Sequence, residues 1–303
     1  MYSLSTCWNS NRHTDGRAML EEIRDLGFEY AELSHGIRIS LLPGIFEAVA
    51  KGVIKISSVH NFCPLPLGYN HPNPNIFKFS AQKETEWSNA LKYSIKSLET
   101  AAKVKAVAMV LHFGRLPISD EVTDMLSEAI KADDAAKHGD ILEAMMIERE
   151  RVKEAPQSRA IKLVKELAVK AAEMDIKLGL EIREAVDEIP LEGDYPAILN
   201  EFPPDTVGYW HDIGHAQIKA NLGLIHHRAH LDTVAPRLFG FHIHDVIFPD
   251  QDHRAPGTGS IDFKGLASYA AGNKIKVMEL NPSVTVDEVK QGFEFLKSVW
   301  GPN

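Results

Sequence analysis

The stretch Lys177-Leu178-Gly179-Leu180-Glu181-Ile182 reads as a short strand with two unlike faces. Successive side chains in a strand point to opposite sides. Leu178, Leu180 and Ile182 therefore share one face, and Gly179 and Glu181 share the other. An aliphatic face suits a cover of helices, and an opposed face that ends in an acid suits a barrel interior. Runs of this length recur along the chain at residues 2–8, 30–34, 56–60, 106–112, 177–182, 207–212, 239–245 and 276–280, eight in all. Several are nearly continuous apolar runs, as expected of parallel strands covered on both sides.

Helical patterns with readable ends separate the strands. Thr14 or Asp15 can cap a helix through Asp25 that stops at Gly27. Pro43 suits the first turn of a helix over residues 44–50, which Gly52 terminates. Longer amphipathic helices are predicted over residues 81–103 and 287–299, and Asp262 can cap one over 263–271. Eight strands alternating with helices predict an α/β fold, a (β/α)₈ TIM barrel forming one domain over residues 1–303. The connection between strands four and five, residues 116–174, is too long for one return helix. It predicts an extra helical insertion, a hairpin at about 119–154, either a solvated excursion or a lid or subunit contact of a homo-oligomer.

Composition sets outer bounds. Hydrophobic content of 44% and charged content of 25% are ordinary for a globular protein of 303 residues. A net charge of −9 argues against a nucleic-acid partner, which needs a basic surface. The chain carries two cysteines, Cys7 and Cys63, so a disulfide framework is not expected and a reducing, cytoplasmic setting is. The first residues lack the basic-then-apolar pattern of a signal peptide, and no apolar stretch reaches the length of a membrane span.

The chemistry collects at strand C-terminal ends, where barrel active sites lie. Alternation turns Glu181, Asp212, Glu279, His242 and His244 inward; His60 and His112 close strands three and four, and Glu32 lies in strand two. Three inward carboxylates repel one another and resist burial unless a positive charge joins them. Arg183 alone cannot neutralise them, whereas a divalent cation can, and carboxylates with imidazole suit Mn²⁺, Mg²⁺, Co²⁺ or Zn²⁺. His211 alternates outward and reads as structural, and His138, His226, His227 and His230 receive no role. Trp8, Phe62 and Tyr69 could wall a sugar ring or simply pack, and no phosphate loop or dinucleotide fingerprint is present.

The segments Leu180-Glu181, His211-Asp212-Ile213-Gly214-His215, Phe241-His242-Ile243-His244-Asp245 and Met278-Glu279-Leu280 resemble the xylose-isomerase-like barrel superfamily. That group includes ketose 3-epimerases, hydroxypyruvate isomerase, inosose dehydratase and the endonuclease IV type of apurinic endonuclease. The stretch from Asp252 to Phe263 is similar to the superfamily's rim loop. The resemblance implies Glu181, Asp212, His242 and Glu279 as metal ligands, with the two glutamates also acting as acid and base. It makes His215 and Arg254 candidates for orienting substrate oxygens, joined by His60, His112, His244, Glu32 and Trp8 as further substrate contacts. Asp245 is then expected to orient His244, and Glu32 could equally stand behind the ligands.

The endonuclease comparison implies extra metal ligands at His60, His112, His215 and His253, leaving room for a second metal. Its last aspartate falls on Gln251, between Asp250 and Asp252, which weakens a third metal. The leading expectation is a metal-dependent isomerase or epimerase of a small carbohydrate, acting through an enediolate. A dehydratase or lyase on an oxidised sugar or inositol derivative begins with the same proton abstraction. A metal-dependent phosphodiesterase on abasic DNA is the alternative from another class, and a catalytically silent ligand-binding barrel is a third.

Overall fold

A computed structural model describes residues 1–302. Its strands β1 (Tyr2–Ser5), β2 (Tyr30–Leu33), β3 (Lys55–His60), β4 (Ala108–Leu111), β5 (Lys177–Glu181), β6 (Val207–Asp212), β7 (Leu238–Ile243) and β8 (Ile275–Met278) close into one barrel. All neighbours are parallel, in chain order, with β8 paired to β1. The predicted barrel is thus the observed one. β1 stops at Ser5 rather than at Trp8, because the Trp8 and Ser10 amides turn back to the carbonyls of Ser5 and Thr6 at 3.3 and 2.8 Å.

Around the barrel run α1 (Gly16–Asp25), α2 (Leu42–Ala50), α3 (Glu84–Lys103), α4 (Glu121–Lys131), α5 (Ala135–Val152), α6 (Glu154–Glu173), α7 (Tyr195–Leu199), α8 (Ile213–Asn221), α9 (His227–Val234) and α10 (Val286–Trp300). Asp15 caps α1, its Oδ1 accepting from the amides of Arg17 and Ala18, and Gly27 takes the left-handed conformation beyond its end. The helix predicted over 263–271 is not formed. Asp262 does accept from the Gly265 amide at 3.0 Å, yet the segment continues as successive i→i+3 turns. The Phe263 carbonyl, which an α-helix would give to residue 267, accepts from Trp300 Nε1 at 2.7 Å and from the Leu266 amide.

The long connection after β4 carries α4 and α5 as a hairpin before the return helix α6. Its deep anchor is Arg149 of α5, which donates to both oxygens of Glu192 at 2.8 and 2.9 Å, while Lys219 of α8 meets the same carboxylate. All three side chains are buried, so removing one charge strands another.

The barrel floor is an apolar plug of Ala108, Val110, Trp210, Ile275 and Val277. Trp210 fits because Gly179 and Gly240 flank it: a Cβ on either would stand 2.8 or 2.7 Å from its ring. The glycine in the opening hexapeptide therefore makes room for the floor on which Glu181, two residues further up the same face, stands.

Candidate metal centre

Above the plug, four successive strands deliver one candidate ligand each: Glu181 from β5, Asp212 from β6, His242 from β7, and Glu279 just beyond β8. One oxygen or nitrogen from each lies within 4.8 Å of all the others, and every one of these residues is buried. Glu279 follows the end of β8 but keeps register, its amide donating to the Ile243 carbonyl at 3.1 Å.

His242 states the electrostatic problem. Its Nε2 faces the Glu32 carboxylate at 3.1 and 3.2 Å. Its Nδ1 faces Glu181 Oε1 at 2.7 Å, Glu279 Oε2 at 3.2 Å and Asp212 Oδ2 at 3.9 Å. Carboxylates only accept, so both nitrogens need a positive partner: a proton on Nε2, and a proton or a metal ion on Nδ1. Burial opposes the imidazolium, but Glu279, Glu32 and Glu181 outweigh it and raise the His242 pKa well above its ordinary value. Burial likewise opposes the Glu181 charge, and His242, Arg183 and His112 outweigh it and hold its pKa well down. The donor set of three carboxylates and one imidazole fits a divalent cation, with Nδ1 as the ligating nitrogen.

A second set shares Glu181. His60 Nδ1 lies 2.8 Å from the Asn61 carbonyl, so it must donate there, and Nε2 then faces Glu181 Oε2 at 3.3 Å. His112 Nδ1 lies 3.3 Å from Asn75 Oδ1, and its Nε2 sits 2.9 Å from the same Glu181 oxygen without hydrogen-bond geometry. Burial first, then Arg183, lowers the His112 pKa to about 4. His60, His112 and Glu181 form a group that could hold a cation.

At the rim His215, His244 and His253 also come together, but their nitrogens are largely committed. His244 Nδ1 accepts from the His253 amide at 2.9 Å, so Nε2 carries the proton and donates to Asp212 Oδ2 at 3.2 Å. His244 thus orients Asp212, a member of the first set. Arg183 Nη1 donates to His215 Nδ1 at 2.9 Å, and His215 Nε2 faces Glu184 Oε2 at 3.3 Å. His253, in the left-handed conformation at φ 52°, pairs with Asp252 at 3.0 Å; against the pull of burial, Asp252 pushes its pKa up to about 9.

Several candidate residues are engaged with protein partners. Glu32 is fully buried, accepts from Ser5 Oγ and Ser58 Oγ at 3.1 and 2.7 Å, and stands behind His242, as one of its two expected roles has it. Trp8 is 1% exposed and donates its indole N–H to the Val284 carbonyl at 2.7 Å under the Arg12 guanidinium; it packs rather than walls the pocket. Asp245 does not touch His244: its oxygens accept the amides of Val246, Gly257, Gly259 and Ile261 and shape the rim loop. Arg254 lies on the outer rim, bonded to Gln251. His211 is structural as expected, and His227 and His230 join its network.

Sequence reasoning passed over His35, Asn75, Glu184 and Glu188. His35 stands edge-on to His60 at 5.0 Å between ring centres, with a buried Nδ1 that finds no hydrogen-bond partner among the described residues. Glu184 and Glu188 close around Arg183 at 2.9 and 3.5 Å. His35 was findable, since it follows β2 at the barrel mouth; the others lie on loops where alternation gives no facing.

Residues 20–299 match the xylose isomerase-like TIM barrel family, and the chain belongs to it. Among solved structures it is similar to a D-tagatose 3-epimerase-like protein, with 17% identity, TM-score 0.67, and 98% of this chain and 96% of that one covered. It is also similar to D-psicose 3-epimerase from Clostridium cellulolyticum H10, with 12% identity, TM-score 0.66 and 99% of each chain covered. A 3-keto-D-glucoside 4-epimerase from E. coli gives 15% identity, TM-score 0.65 and 98% of each chain. At these identities the likeness is one of fold. No curated protein matches the chain in sequence. No helix among the described residues is long and apolar enough to cross a membrane.

Proposed function

We propose that the chain is a divalent-metal-dependent sugar isomerase or epimerase that moves a proton between Glu181 and Glu279 by way of an enediolate. The carrying observation is that these glutamates flank Asp212 and His242 in one buried set, with ligand atoms within 4.8 Å of one another. A bound Mn²⁺, Mg²⁺, Co²⁺ or Zn²⁺ supplies the Lewis acidity that loosens a hydrogen on the carbon beside a carbonyl. One glutamate takes that proton, and the other returns it to the opposite face or to the neighbouring carbon. Glu32, accepting from His242 Nε2, and His244, donating to Asp212, keep those two side chains aimed. The sugar epimerases among the similar structures favour the same chemistry. A second cation at His60, His112 and Glu181 is part of the proposal, because two ring nitrogens converge there on one carboxylate oxygen.

In deuterium oxide the metal-loaded protein should exchange a carbon-bound hydrogen of D-tagatose or a related ketose. Glu181→Gln and Glu279→Gln should each lower exchange by about 10²–10⁴-fold. Undiminished exchange in both variants would sink the mechanism. A dehydratase on an oxidised sugar separates from this reading by its product, which has lost water.

A second reading, phosphodiester cleavage at an abasic site in DNA, draws on the same His60–His112–Glu181 set. The net charge of −9 speaks against a DNA partner. Incubation with an abasic duplex and Zn²⁺ decides it: intact duplex is expected, and cleavage would overturn the preference.

A further inference from the structure

We propose that Asn75 and Glu188 are positioning residues that fix His112 in the tautomer able to offer Nε2 to a cation. The inference rests on the second-cation part of the proposed function. Asn75 lies on the loop between β3 and α3, and its Nδ2 donates to Glu188 Oε1 at 3.0 Å. A carboxylate only accepts, so the amide nitrogen must face Glu188 and Oδ1 must face His112. Oδ1, 3.3 Å from His112 Nδ1, then accepts the ring proton there. That leaves Nε2 unprotonated, 2.9 Å from Glu181 Oε2 and without a hydrogen-bond partner.

The opposite amide orientation would have the opposite consequence. With Nδ2 towards His112, Nδ1 would accept, Nε2 would carry the proton, and His112 would simply hydrogen-bond Glu181. Glu188 therefore decides between a hydrogen bond and a ligand. Its own place is fixed by main-chain pairing: Glu188–Ile189 runs antiparallel to Gly114–Arg115, two residues past His112, with Arg115 opposite Glu188. Arg115 reinforces the pairing by gripping Asp187 at 2.5 and 2.8 Å. The segment that bears Glu188 is thus tied to the segment that bears His112.

The test is Co²⁺ titration of the metal-stripped full chain, counting ions and following the visible absorption of each. Wild type should take up two Co²⁺ per chain. Asn75→Leu should lower affinity for the second by about 10–100-fold, the usual cost of losing a ligand's supporting partner. Retention of the first ion in that variant certifies its fold. The double variant Asn75→Asp with Glu188→Gln reverses the polarity of the upper bond but still accepts from Nδ1, and it should restore the second ion. One ion in wild type, an unchanged second affinity in Asn75→Leu, or no rescue by the double variant would each overturn the proposal. Because no step reads turnover, its failure is distinct from a failure of the isomerase reading, which shows in deuterium exchange alone.

Discussion

Two groups of buried imidazoles stand side by side in this protein and solve the problem of burial in opposite ways. Outside the barrel wall, His230 Nε2 meets the Tyr209 hydroxyl at 3.1 Å, Tyr209 meets His211 Nδ1 at 3.0 Å, and His211 Nε2 meets His227 Nε2 at 3.0 Å. His227 Nδ1 then donates to Gln217, Gln217 to Asn221, and Asn221 to the Pro249 carbonyl. A carbonyl can only accept, so the direction of the whole chain follows from its end. Each ring in that chain is neutral, and the lone pairs within it meet N–H or O–H groups. Inside the barrel, His242 and His60 face acceptors with both nitrogens. Imidazoles that satisfy one another need no ion; imidazoles that face acceptors with both nitrogens need positive charge. His211 and His230 are buried as His60 and His242 are, so the partners separate the two groups.

That contrast can be broken at graded cost. The largest effect short of removing a ligand belongs to Glu32→Gln, which weakens the brace behind His242. Affinity for Mn²⁺ should fall by about 10–100-fold, and an unchanged affinity would mean that Glu32 only fills space. The outer chain should answer to acid instead. Burial, with neighbouring imidazoles or Lys219 adding to it, lowers the pKa of His227 and His230 to about 4, below the unfolded value near 6.5. The unfolded chain then binds more protons, so the stability these rings allow is complete above pH 6.5 and is lost as pH falls towards 4. Chemical unfolding of the metal-free protein should show a loss on the order of 3 kcal/mol per ring across that window. His227→Gln should flatten the slope, and an equally steep slope would exclude these rings as its source. The smallest effect is expected at the rim: Arg254→Ala removes a hydrogen bond to Gln251 and should leave Mn²⁺ affinity unchanged.

The interior of the barrel was largely legible because alternation has a period of two and parallel strands are short. Glu181, Asp212, His242 and Glu279 follow from facing alone, as do His60 and His112 at their strand ends. Roles were less legible than facings. His244 points inward as expected, and so does Glu32, yet each is spent on a neighbouring side chain, since that depends on which oxygen or amide lies opposite across the barrel. Asn75 and Glu188 meet across 113 residues of sequence from two loops, and neither loop has a periodicity to read. The missing helix after Asp262 has the same origin: its cap is local and visible, whereas the indole of Trp300 that takes the Phe263 carbonyl comes from another helix.

The most direct test sets the two imidazole groups against each other in one experiment. Metal-stripped protein is titrated with Mn²⁺, and bound ion is counted by electron paramagnetic resonance for wild type, His242→Ala and His227→Ala. Stoichiometric binding in wild type and His227→Ala, with loss of the tight site in His242→Ala, is the expected result. Tight binding that survives His242→Ala, or that disappears with His227→Ala, would contradict a metal centre inside the barrel.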